Sequence, residues 1–250
     1  MRGLSSKIEE TLEIINSYEN NFGKDKIKEI KGIINGSTNF VLTKIQKDGL
    51  SYNEAITQAK ELGYLEQNPS ADLDGLDLMR KIVILSNIAY HTVLDINKVY
   101  TYSLSKVNDE YFAYIKNKYI LKYLAESSVN NNKLSINIEP VLINNNSLLS
   151  SINYANNYIE FLGEYSDKIS LSGMGAGRYP TSQAIVSDII MIKNTKHVLD
   201  LKIDIKYDLI DESLNEYLIL YNNHEFIKEK ITRKELIDKL KDIAFYARII

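Results

Sequence analysis

The sequence predicts an α+β fold carrying a small C-terminal α/β appendage. Apolar residues recur at helical spacing in some segments and alternate as strands do in others. No repeat appears, and the pattern changes beyond Asn194. With 250 residues and 44% hydrophobic content, the chain can bury a sizeable core.

Taken in order, Ile8, Leu12, Ile15 and Tyr18 fall at helical spacing, so Lys7 to Asn20 reads as an amphipathic helix ending before Gly23. Ile27, Ile30, Ile33 and Ile34 suggest a strand running to Asn35-Gly36, after which Ser37 caps a helix through about Lys47. Ser51 and Glu54 form a capping box for the next helix, whose inner face is Ala55, Ala59 and Leu62, with Gly63 at the left-handed C-terminal position. A buried helix is expected from Asp74 to Tyr90, since its apolar residues occupy more than one face. Asn108 to Glu126 and Leu148 to Asn157 read as helices, and Lys133 to Ile143, Tyr158 to Phe161 and Lys168 to Leu171 as strands. Asn130 to Asn132 and Asn144 to Asn146 read as turns. A helix from Thr181 to Ile192 closes the main unit, residues 1–194. In residues 195–250, strands are expected at Val198 to Tyr207, Tyr217 to Tyr221 and just before Ile250, with a helix from Thr232 to Ile243.

A net charge of -3 with scattered lysines offers no electrostatic stripe for nucleic acid or an anionic membrane. No segment has the eighteen unbroken apolar residues of a membrane span, and the N-terminus lacks a signal-like apolar stretch. The absence of cysteine removes thiol chemistry and makes the cytoplasm the simplest location. His91, His197 and His224 are far apart, so no metal site is expected.

Residues 63–81, GYLEQNPSADLDGLDLMRK, crowd Glu66, Asp72, Asp74 and Asp77 ahead of Lys81. Read as a calcium loop with Gly75 at its sixth position, the stretch would need a closing carboxylate where Lys81 stands. A plainer reading is compensation of the helix dipole, with Asp77 and Lys81 as an i, i+4 pair. The apolar run Ile82-Val83-Ile84-Leu85, however, carries Lys81 to the edge of a core. There a lysine loses solvation and can act as an acid or base, while the neighbouring carboxylates could grip a cationic substrate group.

Gly63-Tyr64-Leu65-Glu66, Pro69, Asp72-Leu73, Gly75, Asp77 and Arg80-Lys81 together resemble the substrate-site signature of homoserine dehydrogenases. Lys31 to Phe40, KGIINGSTNF, and Gly173 to Thr181, GMGAGRYPT, resemble two further stretches of that family in the same order, so the likeness runs from about residue 8 to 194. It implies a mixed β-sheet with helices packed mainly on one face and a homodimer built through that sheet. The reaction implied is the NAD(P)-dependent interconversion of L-homoserine and L-aspartate 4-semialdehyde, a step of threonine and methionine biosynthesis. By the same resemblance Lys81 handles the proton at the substrate oxygen beside Asp77. Glu66 and Asp72 hold the amino end, and Tyr64, Gly36, Ser37 and Thr38 wall the site. Asn68 stands where the family usually has Asp.

The family's dinucleotide-binding domain would precede Lys7, where only six residues stand. The expectation is therefore the catalytic half of such an enzyme, either a truncated natural form or a chain that pairs with a separate nucleotide-binding chain, not active alone. The alternative is a non-catalytic amino-acid-binding or assembly module derived from such an enzyme. Gly173 to Gly177 has G-x-G-x-G spacing, short of a dinucleotide fingerprint, so Gly175 and Gly177 are expected only to face the cofactor from a tight turn. The tail could be part of a regulatory, ACT-like unit, as some members of the family carry.

Overall fold

The computed structural model describes residues 25–175, 182, 186, 189–190, 193, 205–210 and 213–250. Within them a nine-stranded mixed sheet has the order β5-β4-β1-β2-β3-β9-β7-β8, with β6 also on β3. The strands are β1 (Ile27–Ile33), β2 (Ile120–Asn130), β3 (Lys133–Ile143), β4 (Asn156–Gly163), β5 (Lys168–Met174), β6 (Asp208–Leu209), β7 (Leu214–Tyr221), β8 (Phe226–Thr232) and β9 (Ile243–Ile249). The helices are α1 (Gly36–Asp48), α2 (Tyr52–Glu61), α3 (Ser70–Leu73), α4 (Leu76–Ala89), α5 (Asp109–Ile115) and α6 (Arg233–Asp238). Strand pairs are antiparallel except that β6 and β9 run parallel to β3.

Side-chain alternation gives this sheet two different faces. Ile30, Leu121, Tyr123, Ala125, Ile138, Ile159 and Phe161 share a core with the apolar residues of α1, α2, α4 and α5. Ile33, Leu124, Val141, Ile143 and Tyr158 point the other way and pack with Leu149 from the 3-10 turn Leu148–Ser151. The tail joins the same sheet: Val141 pairs with Arg248 and Leu142 with Ile249, and β7 to β9 contribute to the main core.

Several local expectations hold. The Ser51–Glu54 capping box is present, Gly63 is left-handed at φ 77°, and Asn131 and Asn132 turn the β2–β3 hairpin with φ of 48° and 61°. Others need correction. Asn108 to Glu126 is not one helix: α5 stops at Ile115, Asn117 is left-handed at φ 63°, and β2 follows. A central strand buried on both faces carries apolar residues at nearly every position, which mimics a buried helix. Leu148 to Asn157 is not a helix: a 3-10 turn at Leu148–Ser151 is followed by Asn153, which bonds the carbonyls of Ser150 and Ser151, and by Tyr154, left-handed at φ 57°, before β4 begins at Asn156. The helix expected to Ile243 is the shorter α6, and β8 escaped the sequence reading.

The helix placed at Lys7 to Asn20 and most of the strand placed at Val198 to Tyr207 lie outside the described residues. Of the helix expected at Thr181 to Ile192, the described positions Ser182, Val186, Ile189 and Ile190 are helical and exposed.

Candidate active site

Three elements converge beside the end of β1. Asn35 rather than Ser37 caps α1, its side-chain oxygen accepting the Thr38 N–H at 2.8 Å and the Thr38 hydroxyl at 2.9 Å. Its amide nitrogen donates at 2.8 Å to Asp72 and at 2.8 Å to Asp77. Asp72 comes from α3 and Asp77 from the first turn of α4, so one neutral side chain joins carboxylates from two elements.

Gly75 separates those two elements. It is left-handed at φ 77°, and a Cβ on it would lie 2.1 Å from the Tyr123 hydroxyl. The helix expected from about Asp74 to Tyr90 is α4, starting just after Gly75, and Asp72 and Asp77 approach Asn35 from separate elements. One turn into α4, Lys81 lies 3.4 Å from Asp77 and donates to the Ile34 carbonyl at 2.9 Å. Asn35, Asp72, Asp77 and Lys81 are 3 to 5% exposed. Ionised groups this deep need the partners they have.

The other predicted residues frame this centre. Ser37 donates to the Tyr64 carbonyl at 2.6 Å, and the Tyr64 ring lies 4.6 Å from Phe40. Gly36 is buried, and a Cβ there would meet the Ala155 carbonyl oxygen at 2.8 Å. That carbonyl accepts the Gly175 N–H at 2.9 Å, which brings the end of β5 to the start of α1. Glu66 is exposed and joins the set by no hydrogen bond or ion pair among the described residues. Asn68, also exposed, accepts from Ser70 N–H at 3.3 Å. Gly177 lies outside the described residues. The Gly175 N–H is thus engaged by Ala155 rather than free to face a phosphate.

The sequence reading missed Asn35 as a hub and a second layer behind it. Asn39 donates to the carbonyls of Ile152 and Asn156 at 3.2 and 3.1 Å, tying α1 to the β4 approach. Lys122, 1% exposed on β2, donates to Asn39 at 2.9 Å and to the Ile152 carbonyl. Burial, with a contribution from Lys47, lowers the Lys122 ammonium to about 7. The sequence signal available was a lone lysine inside the apolar run Ile120 to Ala125.

Comparison with known proteins fits this arrangement. Residues 14–190 match the family model described as homoserine dehydrogenase. The homoserine dehydrogenase of Bacillus subtilis is 31% identical over 180 residues, covering 72% of this chain and 42% of that protein. An NAD(+)-dependent homoserine dehydrogenase of Pseudomonas canavaninivorans is 37% identical over 168 residues, covering 66% and 47%. The crystal structure of a Thiobacillus denitrificans homoserine dehydrogenase superposes with a TM-score of 0.78 at 21% identity, covering 95% of this chain and 67% of that one. The chain spans about half the length of the curated relatives it matches. A mixed sheet with helices on one face, the clustered Asp72, Asp77 and Lys81, and a family match across most of the chain lead to one conclusion: this protein belongs to the homoserine dehydrogenase family.

Proposed function

We propose that this chain carries the substrate end of a homoserine dehydrogenase, binding L-homoserine or L-aspartate 4-semialdehyde and handling the proton at the substrate oxygen. The observation that carries this reading is the buried set Asn35, Asp72, Asp77 and Lys81, in which the lysine is held between a carbonyl and a carboxylate. In the oxidation direction the hydroxyl proton of homoserine passes to Lys81, and in the reverse direction Lys81 returns it. Asp77, 3.4 Å away, stabilises the ammonium when the proton is on the lysine. Asp72 and Glu66 hold the substrate ammonium, and Tyr64 and the Gly36-Ser37-Thr38 turn wall the side chain. In the complete reaction a nicotinamide coenzyme, NAD or NADP, takes the hydride. The proposal for the described residues concerns the substrate end alone, together with a homodimer and an aqueous, cytoplasmic setting.

Calorimetry with L-homoserine on the 250-residue chain and on Glu66→Ala tests the reading. Binding by the wild type that weakens at least tenfold in the variant is expected, about 1.4 kcal/mol. No detectable binding by the wild type rejects it. A second reading, an assembly module without catalysis, draws on the exposure of Val186, Ile189 and Ile190, which are 54, 60 and 53% exposed on helical backbone. Self-association without homoserine binding would favour that second reading.

A further inference from the structure

We infer that Asn35 is a positioning residue for the substrate site: its two N–H groups set the separation and orientation of the Asp72 and Asp77 carboxylates, and through Asp77 the place of Lys81. The inference rests on the homoserine-site reading above and goes beyond it by assigning a role to a residue outside the expected set.

The direction of the Asn35 amide is determined by its partners. The Thr38 backbone N–H can only donate, and it meets the side-chain oxygen at 2.8 Å. The nitrogen must then face the carboxylates, to which it donates at 2.8 and 2.8 Å. Both N–H groups and both lone pairs of the amide are used, so the group cannot rotate or flip without losing bonds in a site 3% exposed. Helix α1 thus fixes the amide through its first turn, and the amide fixes two acids that lie 37 and 42 residues away in sequence.

Chemistry explains why an amide suits this position. Two carboxylates brought to one buried centre repel, and each needs a donor there. A neutral group with two N–H donors satisfies both anions and adds no charge that would compete with Lys81 or a substrate ammonium. Aspartate at 35 would keep the helix cap but present a third carboxylate to Asp72 and Asp77. Serine would keep the cap and be too short to reach either acid.

These two variants separate positioning from folding, because Asp and Ser are both good N-caps. L-Homoserine affinity is measured by calorimetry on wild type, Asn35→Asp and Asn35→Ser, with melting temperatures alongside. Both variants are expected to melt below the wild type, since Asp72 and Asp77 lose a buried donor, yet to stay folded at the assay temperature and to bind at least tenfold more weakly. Wild-type affinity in either variant would overturn the inference. Absence of binding by the wild type itself would instead reject the homoserine-site reading.

Discussion

Lys122 shows how one side chain couples stability to pH. Its ammonium is depressed from 10.5 to about 7 by burial, which disfavours the charged form in the folded protein. Between about pH 7 and 10.5 the unfolded chain holds a proton that the folded chain has released. Stability from this group therefore rises with pH across that window and is least below pH 7. Lys122→Met is expected to flatten the rise in melting temperature between pH 7 and pH 9. Equal rises in variant and wild type would reject the assignment. At this scale the candidate site was partly legible: Asp77 and Lys81 are four apart on one helix, and Asp72 lies close by in sequence. Asn35 and Lys122 were not, because their meaning lies in partners such as Asp77 and Asn39, 42 and 83 residues away.

Among the elements, the break between α3 and α4 is the one that shapes the site. Alanine at Gly75 would have to adopt a left-handed backbone, at a cost of order 1 to 3 kcal/mol. Its Cβ would also displace the Tyr123 hydroxyl, which donates to the Tyr102 carbonyl at 2.7 Å. Gly75→Ala should thus lower unfolding stability measured in urea by more than the backbone cost alone, and Tyr123→Phe in the same chain should recover part of the loss. No recovery in the double variant would place the strain elsewhere. Helix α2 was readable because its capping box is local, within Ser51 to Glu54. Strand β2 was misread because its environment is not local: Leu121, Tyr123 and Ala125 face the helices, Leu124 faces the second cluster, and the apolar run is continuous.

Over the whole molecule, Arg248 ties the tail to the strands that carry the family match. It pairs with Glu126 of β2 and, at 2.8 Å, with Glu139 of β3, while Lys31 of β1 reaches Glu126 at 3.0 Å. Burial opposes the charge on Glu126, but Arg248 and Lys31 outweigh it and hold the carboxyl low. Burial pushes Glu139 up despite Arg248 and Arg233. Arg248→Met would leave two carboxylates buried without their shared cation, a loss of about 3 to 5 kcal/mol by the usual cost of breaking a buried pair. The folded-state pKa of Glu139, already raised by burial, would rise further, so the variant should be most stable at low pH and lose stability as pH rises. Urea unfolding between pH 5 and pH 8 checks this; a loss that does not grow with pH would show that the carboxylates find other partners.

The pairing of β9 with β3 also sets an order of events during synthesis. Val141 waits for Arg248, roughly a hundred residues later in the chain, and such distant pairings form slowly. Until then the end of β3 at Val141 and Leu142 lacks its partner, although the bridge of Thr101 to Ile138 and the later β6 cover other parts of that edge, and another strand could take the place of β9. The interval between making β3 and making β9 is thus when the nascent chain is most open to mispairing at that end of β3.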